Sequence, residues 1–414
     1  MSRVINYPVN ACIVTIGYEL LQGFTTDTNS TWLAKTLLPY DIHVQKMITV
    51  GDDHDTIINE SQKILKGDFD YIFITGGLGP THDDVTKEAF CKLFSDEVYL
   101  DEDYFALLKK RFEGQLKNMP EINRSQAMLL KRADIIPNDL GSALGMHYLE
   151  NNTHVFIMPG VPGEMEGMIN DYIIPKYINN EPIIDQVTIK TAGIMESRLA
   201  EKTEVLMNKH ASSFRFAFLP HYTGVSFRIQ KRDNSDDLGR VKDEFFKAMQ
   251  PYAFGFNDDI LEGVLAEKLL NNKLTIATAE SCTGGLIGKR LTDVSGSSKY
   301  FLGSITAYSN QLKTDFLGVS NKILNTYGAV SEEVALKMAV GIRKNTHADI
   351  GISTTGISGP SGGSKSKPIG LVYIAVVTPD ISKVKKYIFK VDRYIHREMA
   401  ATAALNITRL TIEG

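Results

Sequence analysis

The order of short apolar runs and the loops that end them constrains this chain most. Tyr71–Thr75 is a compact run of strand length that passes directly into Gly76-Gly77-Leu78-Gly79-Pro80-Thr81-His82-Asp83-Asp84, and a helical pattern over Val85–Phe94 follows. Cys12–Ile16 ends at Gly17 and leads to a helix over Asn29–Leu38, with Thr28 or Asn29 as its cap. Val44–Val50 is strand-like, and Asp53–Lys66 has helical spacing at Ile57, Ile58 and Leu65. Val155–Met158 runs into Pro159-Gly160-Val161-Pro162-Gly163-Glu164. Strands that alternate with helices in this way imply a parallel sheet covered on both faces. Residues 1–175 are therefore expected to form a three-layer α/β domain.

From 176 to 252 the texture changes. Val187–Ala192, helical Ser197–Met207, Phe214–Leu219, Val225–Lys231 and helical Leu238–Gln250 predict a small α+β subdomain, with the charged stretch Lys231–Asp237 as a turn. The alternation in Val225–Ile229 suits a half-buried strand. From 253 to 414 the strand–helix order returns: helix Leu261–Asn271, strand Leu274–Ala279, helix Gly285–Leu291, strand Tyr300–Tyr308, and a short helix near Gln311–Leu317. Ser331 then caps helix Glu332–Lys344, followed by strands Ile350–Thr354, Gly370–Val377 and Val384–Phe389 and a last helix, Arg393–Leu410. The expected fold class is α/β, with two three-layer α/β domains joined by the small α+β subdomain.

The 414 residues are 43% hydrophobic, enough for sizeable cores. A net charge of −4 with mixed signs argues against a general nucleic-acid or membrane-surface binder. The three cysteines, Cys12, Cys91 and Cys282, are too far apart for a disulfide framework or a zinc pattern. No signal-peptide pattern opens the chain, and no apolar stretch reaches the roughly 20 residues that span a bilayer. A reducing cytoplasm is the expected location.

The chemistry concentrates in Ala279-Glu280-Ser281-Cys282-Thr283-Gly284-Gly285 and in Tyr308-Ser309-Asn310-Gln311-Leu312-Lys313. Ser281 follows an apolar strand and precedes a helix, a junction that leaves backbone N–H groups for an anion or an oxyanion. A serine hydroxyl needs a base to become a nucleophile. A neutral Lys313 is a candidate if its pKa falls from roughly 10.4, and Tyr308 is a candidate to relay the proton or polarise the hydroxyl. The plainer reading makes Ser281 an N-cap and leaves Lys313 solvated. Cys282 is the rival nucleophile, with no local histidine to activate it. Thr354-Thr355-Gly356-Ile357-Ser358-Gly359-Pro360-Ser361-Gly362-Gly363 follows a strand and offers hydroxyls and bare N–H groups, which suits phosphate cradling.

These segments, in this order, resemble the C-terminal domain of the CinA family, the nicotinamide-nucleotide amidohydrolases. The resemblance implies Ser281 as nucleophile, with Tyr308 and Lys313 as activating partners. It implies that Thr283, Gly284, Ser298, Thr355 and Gly356 shape the substrate site, and that Arg393 or Arg397 holds a phosphate. The implied reaction converts nicotinamide mononucleotide to nicotinate mononucleotide and ammonia through an acyl-enzyme, with no cofactor.

In the N-terminal region, the glycine loop after Thr75 can cradle a phosphate, while Asp83 or Asp84 holds a divalent cation such as magnesium or a transition metal. The plainer reading has Thr81 or Asp83 merely capping a helix. Together with Gly17-Tyr18-Glu19-Leu20-Leu21, Asp27-Thr28-Asn29-Ser30 and Pro159-Gly160-Val161-Pro162-Gly163-Glu164-Met165, this loop resembles the molybdopterin-binding-type domain of full-length CinA proteins. The resemblance implies phosphate or nucleotide contacts at Glu19, Asn29, Gly76, Gly77, Gly79 and Thr81, metal at Asp83 and Asp84, and a metal-dependent ADP-ribose pyrophosphatase. Tyr18 and Leu144 stand where the family has a small or polar residue and a proline. By the same resemblance the middle subdomain is KH-like, but no Gly-X-X-Gly clamp is present, so nucleic acid is not an expected partner. The expected partners are the small-molecule nucleotides and a second copy of the chain. A regulatory or scaffold protein that binds a nucleotide or pterin without turning it over is the alternative.

Overall fold

The computed structural model describes residues 9–113, 119–178, 185–232 and 237–413. The turn expected at Lys231–Asp237 falls largely outside them. The chain divides into two compact units, residues 1–185 and 186–414.

The first unit is built on a six-stranded sheet in the order Ile42–Val50, Val9–Ile16, Tyr71–Thr75, Thr153–Met158, Gly145–Glu150, Asp134–Ile136. Its first four strands are parallel and its last two antiparallel. Alternate residues of one strand supply opposite cores, as the period of two requires. Cys12, Val14 and Ile16 pack with Ile57, Ile64, Ala89 and Phe90 from helices His54–Leu65 and Thr86–Leu93. Ala11 and Ile13 pack with Leu33, Leu37, Met165 and Ile169 on the other face. Each fully buried aliphatic side chain of this kind contributes roughly 1.5–3 kcal/mol through burial. The helical segment Ile169–Ile178 carries core residues Ile173 and Ile178, so this core runs past residue 175. The register aligns Thr15 with Thr75 and Thr75 with Met158, which gathers Gly17, Gly76, Gly77 and Gly160 at one carboxyl edge.

The second unit holds two sheets. The smaller is antiparallel, in the order Phe214–His221, Gly224–Lys231, Gln186–Thr191, Ala253–Phe256. Leu199, Val241 and Phe245 from helices Glu196–His210 and Leu238–Ala248 pack against its Val187, Ile189, Phe227 and Ile229. The larger sheet runs Phe301–Thr306, Ile276–Glu280, Ile350–Gly356, Leu371–Val377, Ser382–Ile388, with the first three strands parallel. Helices Leu261–Asn271, Leu286–Asp293 and Arg393–Ile412 share the core on one face. Asn310–Leu317, Asn321–Tyr327 and Glu332–Thr346 cover the other. This is the expected three-layer arrangement. Buried Arg409 ties the last helix to the smaller sheet by donating to the Pro251 carbonyl at 2.7 Å while pairing with Glu413. Among the described residues, no helix is long and apolar enough to cross a membrane, and Cys12, Cys91 and Cys282 are free.

Candidate active site

Strand Ile276–Glu280 lies between two parallel neighbours, and the register aligns Glu280 with Thr306 on one side and Thr354 on the other. The three carboxyl ends therefore meet, the usual place for a site in an open α/β sheet. Ser281 is the first residue beyond the middle strand, and its N–H donates to the Thr354 carbonyl at 3.0 Å. Ser309 caps the facing helix, its Oγ accepting from the Leu312 N–H, and the first turn of that helix delivers Lys313. Lys313 is only 1% exposed. Its Nζ lies 3.3 Å from Ser281 Oγ, 2.8 Å from the Ala307 carbonyl and 3.4 Å from the Tyr308 carbonyl.

Burial pushes the Lys313 pKa below its ordinary value, because a desolvated ammonium is disfavoured. No carboxylate pairs with Lys313 among the described residues. The two carbonyls matter here. A neutral amine has two N–H groups, and both have an acceptor, which leaves the nitrogen lone pair for the Ser281 hydroxyl proton.

Glu280 organises the serine loop. It is fully buried. Its Oε2 accepts from the N–H groups of Gly285 and Ile287 at 2.9 and 3.1 Å, and its Oε1 accepts from Gly288 N–H at 2.8 Å. A carboxylate at a helix start satisfies orphan donors and opposes the positive end of the dipole. Those N–H groups were expected to be open to an anion; Glu280 fills the position instead. Gly284 and Gly285 adopt φ of 62° and 92°, left-handed values that suit glycine. Arg397 closes the loop from the last helix, donating from Nε and Nη2 to the Thr283 carbonyl at 3.1 and 2.8 Å. The Thr283 and Thr354 hydroxyls are 2.7 Å apart.

In the first unit, Asn29 donates both its amide hydrogens, to Thr75 Oγ1 at 3.0 Å and to the Gly160 carbonyl at 2.9 Å. Its Oδ1 is buried with no partner. Gly76 and Gly77 have φ of 120° and 67°, and a side chain there would strike the Ile16 carbonyl or Thr86 Oγ1, each at 2.2 Å. Gln126 donates to the Leu78 carbonyl at 3.1 Å, and its Oε1 is likewise unpartnered. Asp84 Oδ2 accepts from the Thr81 N–H and hydroxyl at 2.9 and 2.5 Å and covers Gly79, whereas Asp83 is exposed. Glu19 is exposed and folds over Gly17. Tyr18 lies against Gly51 and donates to Asp53 Oδ2 at 3.2 Å. Asn138, which donates to the Ala143 carbonyl beside Leu144, also holds Glu164 Oε2 at 2.7 Å over Gly141.

Comparison with known proteins identifies the family of the chain. A CinA-like protein of Chloroherpeton thalassium is 38% identical over 96% of this chain and 98% of its own length. The chain belongs to the CinA family. Residues 258–412 match the family model described as "CinA C-terminal domain", and residues 12–178 match "Probable molybdopterin binding domain". A CinA-like protein of Syntrophomonas wolfei is 38% identical over 96% of this chain and 98% of its own length. The crystal structure of competence/damage inducible protein CihA from Agrobacterium tumefaciens aligns over 38% of this chain and 98% of its own, with 34% identity and a TM-score of 0.35.

In this CinA-family chain, several candidate residues stand elsewhere than the motifs suggest. The Tyr308 side chain is 60% exposed, and its hydroxyl accepts from Arg393 Nη2 at 2.8 Å rather than meeting Ser281. Only its backbone carbonyl touches Lys313. Arg393 also donates to the Gly359 carbonyl at 2.9 Å, and so bridges the tyrosine to the glycine-rich loop. Arg397 clamps the serine loop through the Thr283 carbonyl with Nε and Nη2. Thr355 is buried, with its hydroxyl on the Ala329 carbonyl at 2.7 Å. Gly356 is there for close approach: an added Cβ would lie 2.6 Å from the Leu371 carbonyl and 3.0 Å from Cys282 Sγ. Ser298 is not at this site. It precedes strand Phe301–Thr306, whose Phe301 pairs with Ile276, at the opposite end of the sheet from Ser281.

Burial pushes the Cys282 thiol up to about 12, so it carries its proton at neutral pH and is a poor rival to Ser281. Nothing in the motifs points to His396, yet it is fully buried beneath the glycine-rich loop. Its Nδ1 lies 2.9 Å from Ser358 Oγ and its Nε2 3.1 Å from the Gly370 carbonyl. Burial lowers its pKa. The neutral ring can thus accept from Ser358 and donate to Gly370. A histidine three residues after Arg393, on the same helix, is the one cue the sequence offers.

Proposed function

We propose that the C-terminal domain hydrolyses the carboxamide of nicotinamide mononucleotide, giving nicotinate mononucleotide and ammonia. The observation that carries this reading is the 3.3 Å approach of a buried, carboxylate-free Lys313 amine to Ser281 Oγ. Lys313 takes the hydroxyl proton as Ser281 Oγ bonds to the carboxamide carbon. Collapse of the tetrahedral adduct breaks the C–N bond, and the Lys313 ammonium returns the proton to the departing nitrogen. Water, deprotonated by the same amine, then cleaves the Ser281 ester. In this reading the exposed Arg393–Tyr308 pair orients the ribose phosphate. Ammonia release from nicotinamide mononucleotide by the full chain, absent in Ser281→Ala, tests the proposal; equal release by both would end it.

For the first unit we propose metal-dependent cleavage of ADP-ribose. Among the described residues, no group of three or more His, Cys, Asp or Glu could hold an ion. The available donors are the exposed Asp83 carboxylate and the free oxygen of Asp84. An all-oxygen set of one or two carboxylates fits a magnesium-like ion that keeps waters and takes substrate phosphate oxygens. Such an ion supplies charge neutralisation at the diphosphate. The Asn29 side-chain amide has already given both its hydrogens to Thr75 and Gly160, so it holds the loop and does not donate to a phosphate oxygen. ADP-ribose hydrolysis that needs added magnesium is the expected result, and no hydrolysis with any divalent ion is the result against it. The same reading takes a second copy of the chain as partner.

A further inference from the structure

In the second unit, a cavity of about 1110 Å³ lies among the last helix, the final strand of the larger sheet and the hairpin tip of the smaller sheet. It shares no residue with the Ser281–Lys313 pair.

Its floor is the edge strand Ser382–Ile388. A period of two puts Lys383, Lys385 and Tyr387 on one face, with Phe389 continuing the row, and all four line the cavity. The Tyr387 and Phe389 rings stack with centroids 5.2 Å apart at 17°. Neither lysine forms an ion pair or a hydrogen bond among the described residues, and the Tyr387 hydroxyl has no partner there either. From the last helix, Asn406 Oδ1 accepts from Arg409 Nε and Nη2, and its Nδ2 has no hydrogen-bond partner among the described residues. The hairpin contributes Tyr222, which is 49% exposed. The carboxylates that line the cavity are Glu196 and Glu332.

The cavity therefore combines flat aromatic walls with unused donors: two ammonium groups, a phenol and an amide. Its complement is an anion joined to a planar ring. Lysines two apart on a strand are separated by roughly 6.6 Å, a span that a diphosphate can bridge. The volume lies just above the roughly 300–1,000 Å³ of small-molecule pockets, so it admits a base, a ribose and two phosphates together. Aromatic side chains in the lining, Tyr222 and Tyr387 among them, favour a base over an acyl chain.

We infer that this cavity is a second nucleotide site, separate from both proposed reaction centres, and that it takes a nucleoside diphosphate with its base against the aromatic side chains of Tyr222 and Tyr387 and its phosphates on Lys383 and Lys385. The inference does not depend on the reaction proposed for Ser281.

Photolabelling of the full chain with 8-azido-ADP, followed by peptide mapping, tests it. Label is expected on peptides that contain Tyr222 or Tyr387–Phe389, and excess unlabelled ADP should remove it. In Lys383→Glu/Lys385→Glu, labelling of those peptides should fall at least tenfold while the circular dichroism spectrum and melting temperature of the full chain stay those of wild type. Lys383→Gln/Lys385→Gln, a milder change, should reduce labelling in the same direction. Label found only on residues 1–185 or on the serine loop overturns the inference. So does an absence of label at millimolar probe, or label that the charge-reversed variant retains or that laurate displaces and ADP does not. A cavity already covered by other residues of the chain or by a second copy gives the no-label result.

Discussion

The Nζ of Lys313 and the Oγ of Ser281 face each other at 3.3 Å, one from a helix and one from a strand end, with the two Lys313-bound carbonyls holding the amine in place. Burial moves the lysine toward its neutral form, the form that the proposed reaction uses.

Removing that base should therefore be severe. Lys313→Met is expected to lower kcat for ammonia release by roughly 10²–10⁴. Lys313→Arg should not rescue it, since a guanidinium stays protonated. Steady-state ammonia assays check this, and Lys313→Met within tenfold of wild type would exclude the lysine as base.

The pH profile carries a sign. In the proposed reaction the working form is the neutral amine, and the Lys313 pKa lies below the ordinary lysine value of 10.5. Activity should rise with pH and level off before that value. A kcat that falls as pH rises from 6 to 9 would contradict a neutral-lysine base.

Cys282 offers a clean contrast. With its thiol pushed up to about 12, it should react slowly with iodoacetamide at pH 8, and Cys282→Ala should keep most of the activity. Ser281→Ala should lose it. The reverse pattern would transfer the nucleophile to sulfur.

Tyr308→Phe separates binding from proton transfer. The hydroxyl is bound to Arg393, so its loss should raise KM severalfold and leave kcat within about threefold. A hundredfold fall in kcat at constant KM would restore the tyrosine to the proton path.

Glu280→Gln should destabilise the second unit, because an amide placed among three N–H donors must turn its own NH₂ against at least one of them. Hydrogen bonds to a charged acceptor contribute about 1.5–3 kcal/mol each, so a loss of about 2 kcal/mol or more is expected in chemical unfolding. A variant as stable as wild type would show that the carboxylate is not needed to hold the loop.

Much of this architecture was legible in the sequence. Tyr71–Thr75, Ile350–Thr354 and the helix opening at Glu332 are read directly, because apolar runs with small-residue ends and a serine cap are local signals. The three-residue strands Val98–Leu100, Met128–Leu130 and Asp134–Ile136 were not, since each is too short to show a period. At the site, Ser281 and Lys313 were visible as residue types at strand and helix ends. Side-chain direction was not: Tyr308 points to Arg393, and Asp84 turns back on Thr81. Ser298 failed for a different reason, because only strand register reveals which end of a sheet a residue occupies. Glu280 is disguised as the polar end of a strand, although one carboxylate at the close of an apolar run is a hint of an internal cap.

That internal cap limits how the serine loop could be transplanted. Ser281 and its glycines, moved onto another scaffold without Glu280, would bring a helix whose opening turn lacks its counter-charge, and the hydroxyl would wander. The smallest portable version of this nucleophile thus begins one residue earlier than the nucleophile itself.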